Sequence, residues 1–173
     1  MIVRAIQTCL AMALLAASVA TIAAPISPAD YQRVVDEAMR LYPSFWMFDR
    51  KALIDAEIQG FHIPAGSLLS IYIYGVHRNP AVWDDPERFD PSRFEKERRA
   101  GRPTFAHMPF GGGPRKCIGQ NLAIIQILLV LVAIIRRFDL SLASSAGVGI
   151  RPMFITRPDG PIRIQFTPAS GGD

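Results

Sequence analysis

The sequence predicts a mixed α+β protein in which two helices flank a run of short strands and a strand pair ends the chain. Three observations predict this class. Apolar residues recur at helical spacing over residues 29–41, and runs rich in β-branched and aromatic residues, broken by Gly and Pro, fill residues 52–74. The apolar stretch at 122–135 has the length of a helix rather than of a strand.

Composition places the chain among folded globular proteins. Its 173 residues suffice for one domain with a modest core, and a hydrophobic content of 50% is too high for a disordered chain. The net charge of +4 comes without a long Lys/Arg run, so we expect no nucleic-acid partner. The two cysteines, Cys9 and Cys117, lie far apart, and their spacing favours free thiols, as in a reducing compartment.

Residues 1–28 form an apolar leader with three interpretations. Arg4 precedes the uncharged stretch 5–24, and small-x-small cleavage options follow at 18–20 and 21–23, as in a secretory signal. The stretch is also long enough to anchor in a bilayer, and it is equally open to being an accidental, non-native start. The location is therefore predicted to be cytoplasmic if the leader is accidental. Otherwise it is exported or membrane-anchored, with possible membrane contact through residues 5–24.

The first element after the leader is a helix. Ser27 or Asp30 can cap it, it begins near Ala29, and Pro43 stops it. Glu37 and Arg40 lie three residues apart, so they share one face of this helix and can pair.

Short strands and irregular segments follow. We expect a small β-sheet from three strands, at Ala52–Ile58, Gly60–Ile63 and Leu68–Tyr74. Crowded Pro, Asp, Asn and Arg residues predict an irregular segment at Val76–Phe94, and Glu95–Pro103 is expected to be a charged exposed loop.

The strongest helix prediction covers Cys117–Arg137. Its apolar part, Leu122–Ile135, is interrupted only by Gln126, so this helix should be covered on all sides. Strands at Ile150–Ile155 and Ile162–Phe166 are expected to form a C-terminal β-hairpin.

A glycine-rich loop, "FGGGPRKCIG", precedes that helix. It lacks the Gly-Lys-Ser/Thr of a P-loop, and Cys117 has no partner cysteine for a zinc or dithiol site. Arg115, Lys116 and the helix N-terminus would favour the thiolate of Cys117. A single thiolate beside glycines that allow a flat ring to approach the backbone is typical of a haem site.

The residues Phe110, Gly113, Arg115, Cys117 and Gly119 fit the pattern F-x-x-G-x-R-x-C-x-G, which resembles the haem-ligand signature of the cytochrome P-450 superfamily. The resemblance implies that Cys117 is the axial thiolate on the iron of haem b. It also implies that Phe110 packs beside the thiolate and that Gly113 and Gly119 let the backbone approach the ring.

Further site residues are implied by the same resemblance. Arg115 should bind a haem propionate, and Arg50 stands where members often place a second propionate-binding arginine. "EAMRLYP" resembles the E-x-x-R helix of the family, and "DDPERFDPSRF" resembles its "PERF" segment. The expected result is a buried cluster of three charges, Glu37, Arg40 and Arg88.

The resemblance runs from about residue 31 to 166, so residues 29–168 are expected to be the C-terminal part of a mainly α cytochrome P-450 domain, followed by a flexible tail at 169–173. It implies monooxygenation of a small apolar substrate, with electrons from NAD(P)H through a ferredoxin or flavin reductase. The alternative is a truncated, non-catalytic haem-binding remnant, and a third idea is an exported haem-thiolate module. A basic surface for an acidic redox partner would comprise Lys96, Arg98, Arg99, Arg102 and Lys116.

Overall fold

The computed structural model describes residues 27–143 and 149–169. The leader at 1–28 therefore falls almost wholly outside the described residues, as do residues 170–173 of the expected tail. Within the described part, helices and short two-stranded antiparallel sheets alternate, which confirms the mixed α+β class.

Helix α1 (Pro28–Leu41) begins and ends for local reasons. Ser27 is its N-cap, because its hydroxyl accepts from Asp30 N–H while the Asp30 carboxylate accepts from Ser27 N–H at 3.0 Å. At the other end, Pro43 restricts the backbone of Tyr42, whose φ of −128° and ψ of 63° leave the helical region.

Two small sheets follow α1. Strand β1 (Phe48–Lys51) pairs with β4 (Leu68–Ile71), and β2 (Ala56–Ile58) pairs with β3 (Phe61–Ile63). The single strand predicted at 52–58 was therefore wrong in its first half, because the chain turns there so that Gly66 N–H donates to Ala52 O at 2.8 Å.

The segment that leads to the cysteine loop is built from short helical turns. A four-residue helix, α2 (Ile73–Val76), ends the strand that was predicted to run to Tyr74. A 3₁₀ turn covers Pro91–Phe94. Helix α3 (Lys96–Arg99) interrupts the predicted loop at 95–103, because four charged residues with high helix propensity follow each other there.

Helix α4 (Gln120–Ile135) starts three residues later than predicted. Only Ile127 and Leu131 are buried in it, where they pack on Val35 and Met39 of α1. The expectation that α4 is covered on all sides is wrong for the described residues. Four of its large apolar side chains are instead exposed, namely Leu122, Ile125, Leu129 and Val130.

The predicted C-terminal hairpin is also wrong in its pairing. Strand β5 (Phe138–Leu142) pairs with β8 (Ile164–Pro168), and β6 (Gly149–Arg151) pairs with β7 (Arg157–Asp159). Pro152 ends β6 because it has no N–H to donate. No strand was predicted for β5, although its alternation Phe-Asp-Leu-Ser-Leu has the period of a strand.

Candidate functional site

The loop that carries Cys117 is closed by its own backbone. Cys117 N–H donates to Phe110 O at 3.0 Å, and Lys116 N–H donates to Gly113 O at 3.1 Å. Gly111 and Gly113 adopt φ values of +73° and +68°, a region that side-chain-bearing residues rarely enter. The glycines thus allow the tight loop, and Cys117 lies exposed just before α4.

An open cavity of about 400 Å³ lies over this loop. Cys117 and Arg115 line it from the loop, and Arg50 lines it from β1. The rest of its wall is mostly apolar and comes from β1, α2, the loop and α4, through Phe48, Ile73, Phe110, Leu122 and Ile127. The fold therefore brings Arg50 to the loop residues Arg115 and Cys117, which are distant from it in sequence, inside a mostly apolar wall.

The glycine predictions fare differently from one another. Gly119 and Gly111 line the cavity, whereas Gly113 does not. A Cβ added at Gly113 would meet no protein atom within 4 Å, and its φ of +68° is what favours glycine at this position in the structure. A Cβ at Gly112 would approach the ring of Phe105 to 2.6 Å, which makes Gly112 a second steric constraint that the sequence pattern did not indicate.

Glu37 and Arg40 form a fully buried ion pair on α1. Arg40 Nε lies 2.6 Å from Glu37 Oε2, and both side chains have no exposed surface. Arg40 also donates to the backbone carbonyls of His77 and Pro86, at 2.8 and 2.7 Å. Glu37 Oε1 in turn accepts from Asp90 N–H at 2.9 Å. The pair thereby fixes the irregular segment after α2 to α1.

The third charge of this cluster is Arg93, not Arg88. Arg93 Nε lies 3.4 Å from Glu37 Oε1, and the residue is 3% exposed. Arg88 contributes only its carbonyl, which accepts from Arg40 at 3.2 Å, and its side chain is exposed. The signal for Arg93 is present in the sequence, because "PSRF" repeats the form of "PERF" five residues later.

Two adjacent histidines, the fully buried His77 and the partly buried His107, lie between the charge cluster and the loop. His77 Nδ1 lies 3.1 Å from Arg40 O, and Met108 N–H donates to His77 Nε2 at 2.9 Å. The His107 ring lies 5.2 Å from the His77 ring, and its Nε2 lies 3.1 Å from Asp36 O. Burial lowers the pKa of His77 to about 4, and burial with the neighbouring His77 lowers the pKa of His107 well below 6.5. Both rings are therefore neutral near pH 7.

Aromatic and cationic side chains pack around His107. Trp83, which is 1% exposed, lies between the guanidinium groups of Arg40 and Arg102, at 5.1 and 4.1 Å from its ring centroid. Phe94 packs on Trp83 and on His107. This packing explains why Arg102, which was predicted to be part of a docking surface, is partly buried.

The cavity has the donor groups that a haem requires. A thiol can bind iron once deprotonated, two guanidinium groups suit two carboxylates, and an apolar wall suits a flat macrocycle. Within residues 27–143 and 149–169, no group of three or more His, Cys, Asp and Glu side chains could hold a metal ion. In the same ranges, no helix has both the length and the apolar character needed to cross a bilayer.

Comparisons with known proteins identify the family. The family model for Cytochrome P-450 matches residues 31–166. Cytochrome P-450 3A18 of Rattus norvegicus is 37% identical over 77% of this chain and 27% of its own length, and cytochrome P-450 4B1 of the same species is 42% identical over 76% and 26%. The structure of retinoic acid-bound cyanobacterial CYP120A1 superposes with a TM-score of 0.77 and 33% identity, over 82% of this chain and 33% of that one.

The chain belongs to the cytochrome P-450 family, whose members are haem-dependent monooxygenases. It spans about a quarter of the length of the curated relatives that it matches.

Proposed function

We propose that this chain forms the thiolate-ligand side of a haem monooxygenase site that acts on a small apolar substrate. The observation that carries the proposal is the cavity in which Cys117, Arg115 and Arg50 meet among apolar side chains. Family membership supports haem b as the cofactor and NAD(P)H, through a redox partner, as the source of electrons.

Each cavity residue has a distinct role in this proposal. Cys117 would bind the iron as a thiolate, and Arg50 and Arg115 would bind the two propionates through charge-assisted hydrogen bonds. Phe110 would exclude water beside the thiolate, since it lines the cavity and packs against the core between α1 and α4. Once bound, the haem would supply the redox chemistry that activates dioxygen.

The Soret band provides the first test. The purified chain is incubated with haem, reduced under carbon monoxide and compared with Cys117→Ser. We expect the red-shifted band of thiolate ligation in the unmodified chain and its loss in the variant. A histidine-type or free-haem spectrum from the unmodified chain would overturn the proposal.

Turnover is tested separately, with a surrogate reductase and a panel of apolar substrates. Product formation supports the monooxygenase, whereas a thiolate spectrum without any product supports the non-catalytic haem-binding alternative. Because the spectrum and the turnover are measured independently, the two hypotheses give different results.

We also infer that an acidic redox partner, of ferredoxin or flavin-reductase type, docks on the basic residues of α3 together with Lys116 of the cysteine loop. Arg98 is a poor probe of this surface because it pairs with Asp90 at 3.0 Å, and Arg102 stacks on Trp83. The better probes are Arg99 and Lys116. We expect Arg99→Glu and Lys116→Glu to slow reduction of bound haem and to weaken its salt dependence. Unchanged reduction in both variants would contradict this docking surface.

A further inference from the structure

His77 joins two parts of the structure that are far apart in sequence. It is fully buried at the C-terminal end of α2, between α1 and the segment that leads into the cysteine loop. Its contacts with Arg40 are reciprocal. Arg40 Nη1 donates to His77 O at 2.8 Å, and His77 Nδ1 lies 3.1 Å from Arg40 O.

The two ring contacts determine the protonation of the imidazole. Arg40 O can only accept, so His77 Nδ1 must carry the proton and donate it. Met108 N–H can only donate, so Nε2 must be unprotonated and accept. One neutral tautomer satisfies both contacts, and a second proton on Nε2 would place two donors against each other.

The contact at Met108 continues to the cysteine through the backbone. Gly111 N–H donates to Met108 O at 2.9 Å, and Cys117 N–H donates to Phe110 O at 3.0 Å. A displacement of Met108 would therefore be transmitted to the loop that presents the thiol.

We propose that His77 is a positioning residue that anchors the Cys117 loop to the buried Glu37–Arg40 pair, with its Nδ1–H tautomer bridging Arg40 O and Met108 N–H. Its relevance to catalysis rests on the proposed function, whereas the anchoring itself does not. The neighbouring His107 supplies a control, because its ring lies beside the His77 ring but bonds to Asp36 O instead.

Three variants separate positioning from packing. His77→Gln keeps an acceptor at the distance of Nε2, whereas His77→Asn keeps a donor near Nδ1 but has no atom that reaches Met108. His107→Asn removes similar volume from the same buried region and leaves the contact between His77 and Met108 in place. All three are made in a Cys9→Ser background, so that Cys117 is the one thiol.

Two readouts need no haem. We expect hydrogen exchange at the Met108 amide to rise about tenfold or more in His77→Asn, and to change little in His77→Gln and His107→Asn. We expect the rate at which iodoacetamide alkylates Cys117 to change in the same order. Equal effects of His77→Asn and His77→Gln, or an equal effect of His107→Asn, would overturn the proposal.

Two further measurements keep the test decisive. If His77→Asn does not fold, nitrogen-15 NMR of the unmodified chain must show the Nδ1–H tautomer at pH 7, and an Nε2–H tautomer would contradict the proposal. In the haem-loaded chain, the thiolate fraction of the carbon monoxide spectrum should fall in His77→Asn and recover in His77→Gln. Absence of that band in the unmodified chain would refute the proposed function, while the Met108 and Cys117 readouts still decide the role of His77.

Discussion

Arg40 and Glu37 form an ion pair with no exposed side-chain surface, in which Arg40 Nε lies 2.6 Å from Glu37 Oε2 and Arg40 Nη2 lies 2.8 Å from Glu37 Oε1. The contact is bidentate, and the remaining hydrogen-bonding capacity of both groups is taken up largely by backbone groups of the following segment. The pair therefore acts less as an isolated salt bridge than as the attachment point of residues 77–90.

Removing one partner should be costly. Arg40→Met leaves the Glu37 carboxylate buried without its main partner, and we expect a loss of about 3–5 kcal/mol in the free energy of unfolding. This loss is measured by urea denaturation monitored by circular dichroism. As a control, Arg151→Ala removes a pair whose side chains are 64% and 54% exposed, and it should cost less than about 1 kcal/mol. Similar losses in both variants would contradict the role of the buried pair.

Arg93 and Arg88 should differ strongly. Arg93→Leu removes a buried cation that faces Glu37 and donates to Asp85 O at 2.8 Å, so we expect a loss of at least about 2 kcal/mol. Arg88→Ala changes an exposed side chain and should stay within about 0.5 kcal/mol. The same urea titration compares them. A larger cost at Arg88 would restore the assignment made from the "PERF" motif.

Acidification should destabilise the protein before the carboxylates titrate. Burial lowers the pKa of His77 from 6.5 to about 4, and the nearby charges of Arg40 and Arg78 act in the same direction, whereas the hydrogen bond to the Arg40 backbone opposes the shift. Between these values the unfolded chain binds a proton that the folded chain does not. Stability is therefore fully present above pH 6.5 and falls by about 1.4 kcal/mol per pH unit for each such histidine as the pH drops towards 4. The lowered pKa of His107 acts in the same direction.

Urea titrations at several values between pH 7 and pH 5 test this dependence. In His77→Gln, the slope of the free energy of unfolding against pH should decrease by the contribution of one histidine. A flat profile in the unmodified chain would mean that both rings titrate normally in the folded state.

Gly113→Ala should strain the loop. Its φ of +68° is unfavourable for an L-residue with a side chain, so we expect a cost of about 1–2 kcal/mol. Gly119→Ala is the matched control, because its φ is −83° and its added Cβ would meet the Cys117 sulfur at an ordinary 3.8 Å. Thermal unfolding of the two variants is compared directly. If Gly119→Ala proves the more damaging, the tight turn at Gly113 does not limit the loop.

The two cavity arginines should contribute to haem affinity. Arg115→Gln and Arg50→Gln each remove a cation that lines the cavity, and we expect each to weaken haem binding about tenfold, as for one lost charge-assisted hydrogen bond. Haem titration followed at the Soret band measures the affinity. Arg157→Gln, an exposed arginine outside the cavity, is the control. If Arg50→Gln behaves like the control, Arg115 alone binds a propionate.

The sequence alone determined the family, the cysteine loop and the helix that carries Glu37 and Arg40, since each depends on local spacing. A cap at Ser27, a proline after the helix and glycines around a lone cysteine are all signals within a few residues of one another. The same locality explains why the class of fold could be predicted, although the strand boundaries could not.

The tertiary structure decided which distant residues meet. It selected Arg93 over Arg88, paired β5 with β8 across more than twenty residues, and placed His77 between Arg40 and Met108. It also brought Arg50 to the cavity of Cys117. These outcomes depend on burial and on long-range hydrogen bonds. Arg88 and Arg93 lie in similar motifs, and the fold determines which of the two side chains points towards the buried carboxylate. Local spacing in the sequence carries no information about that direction.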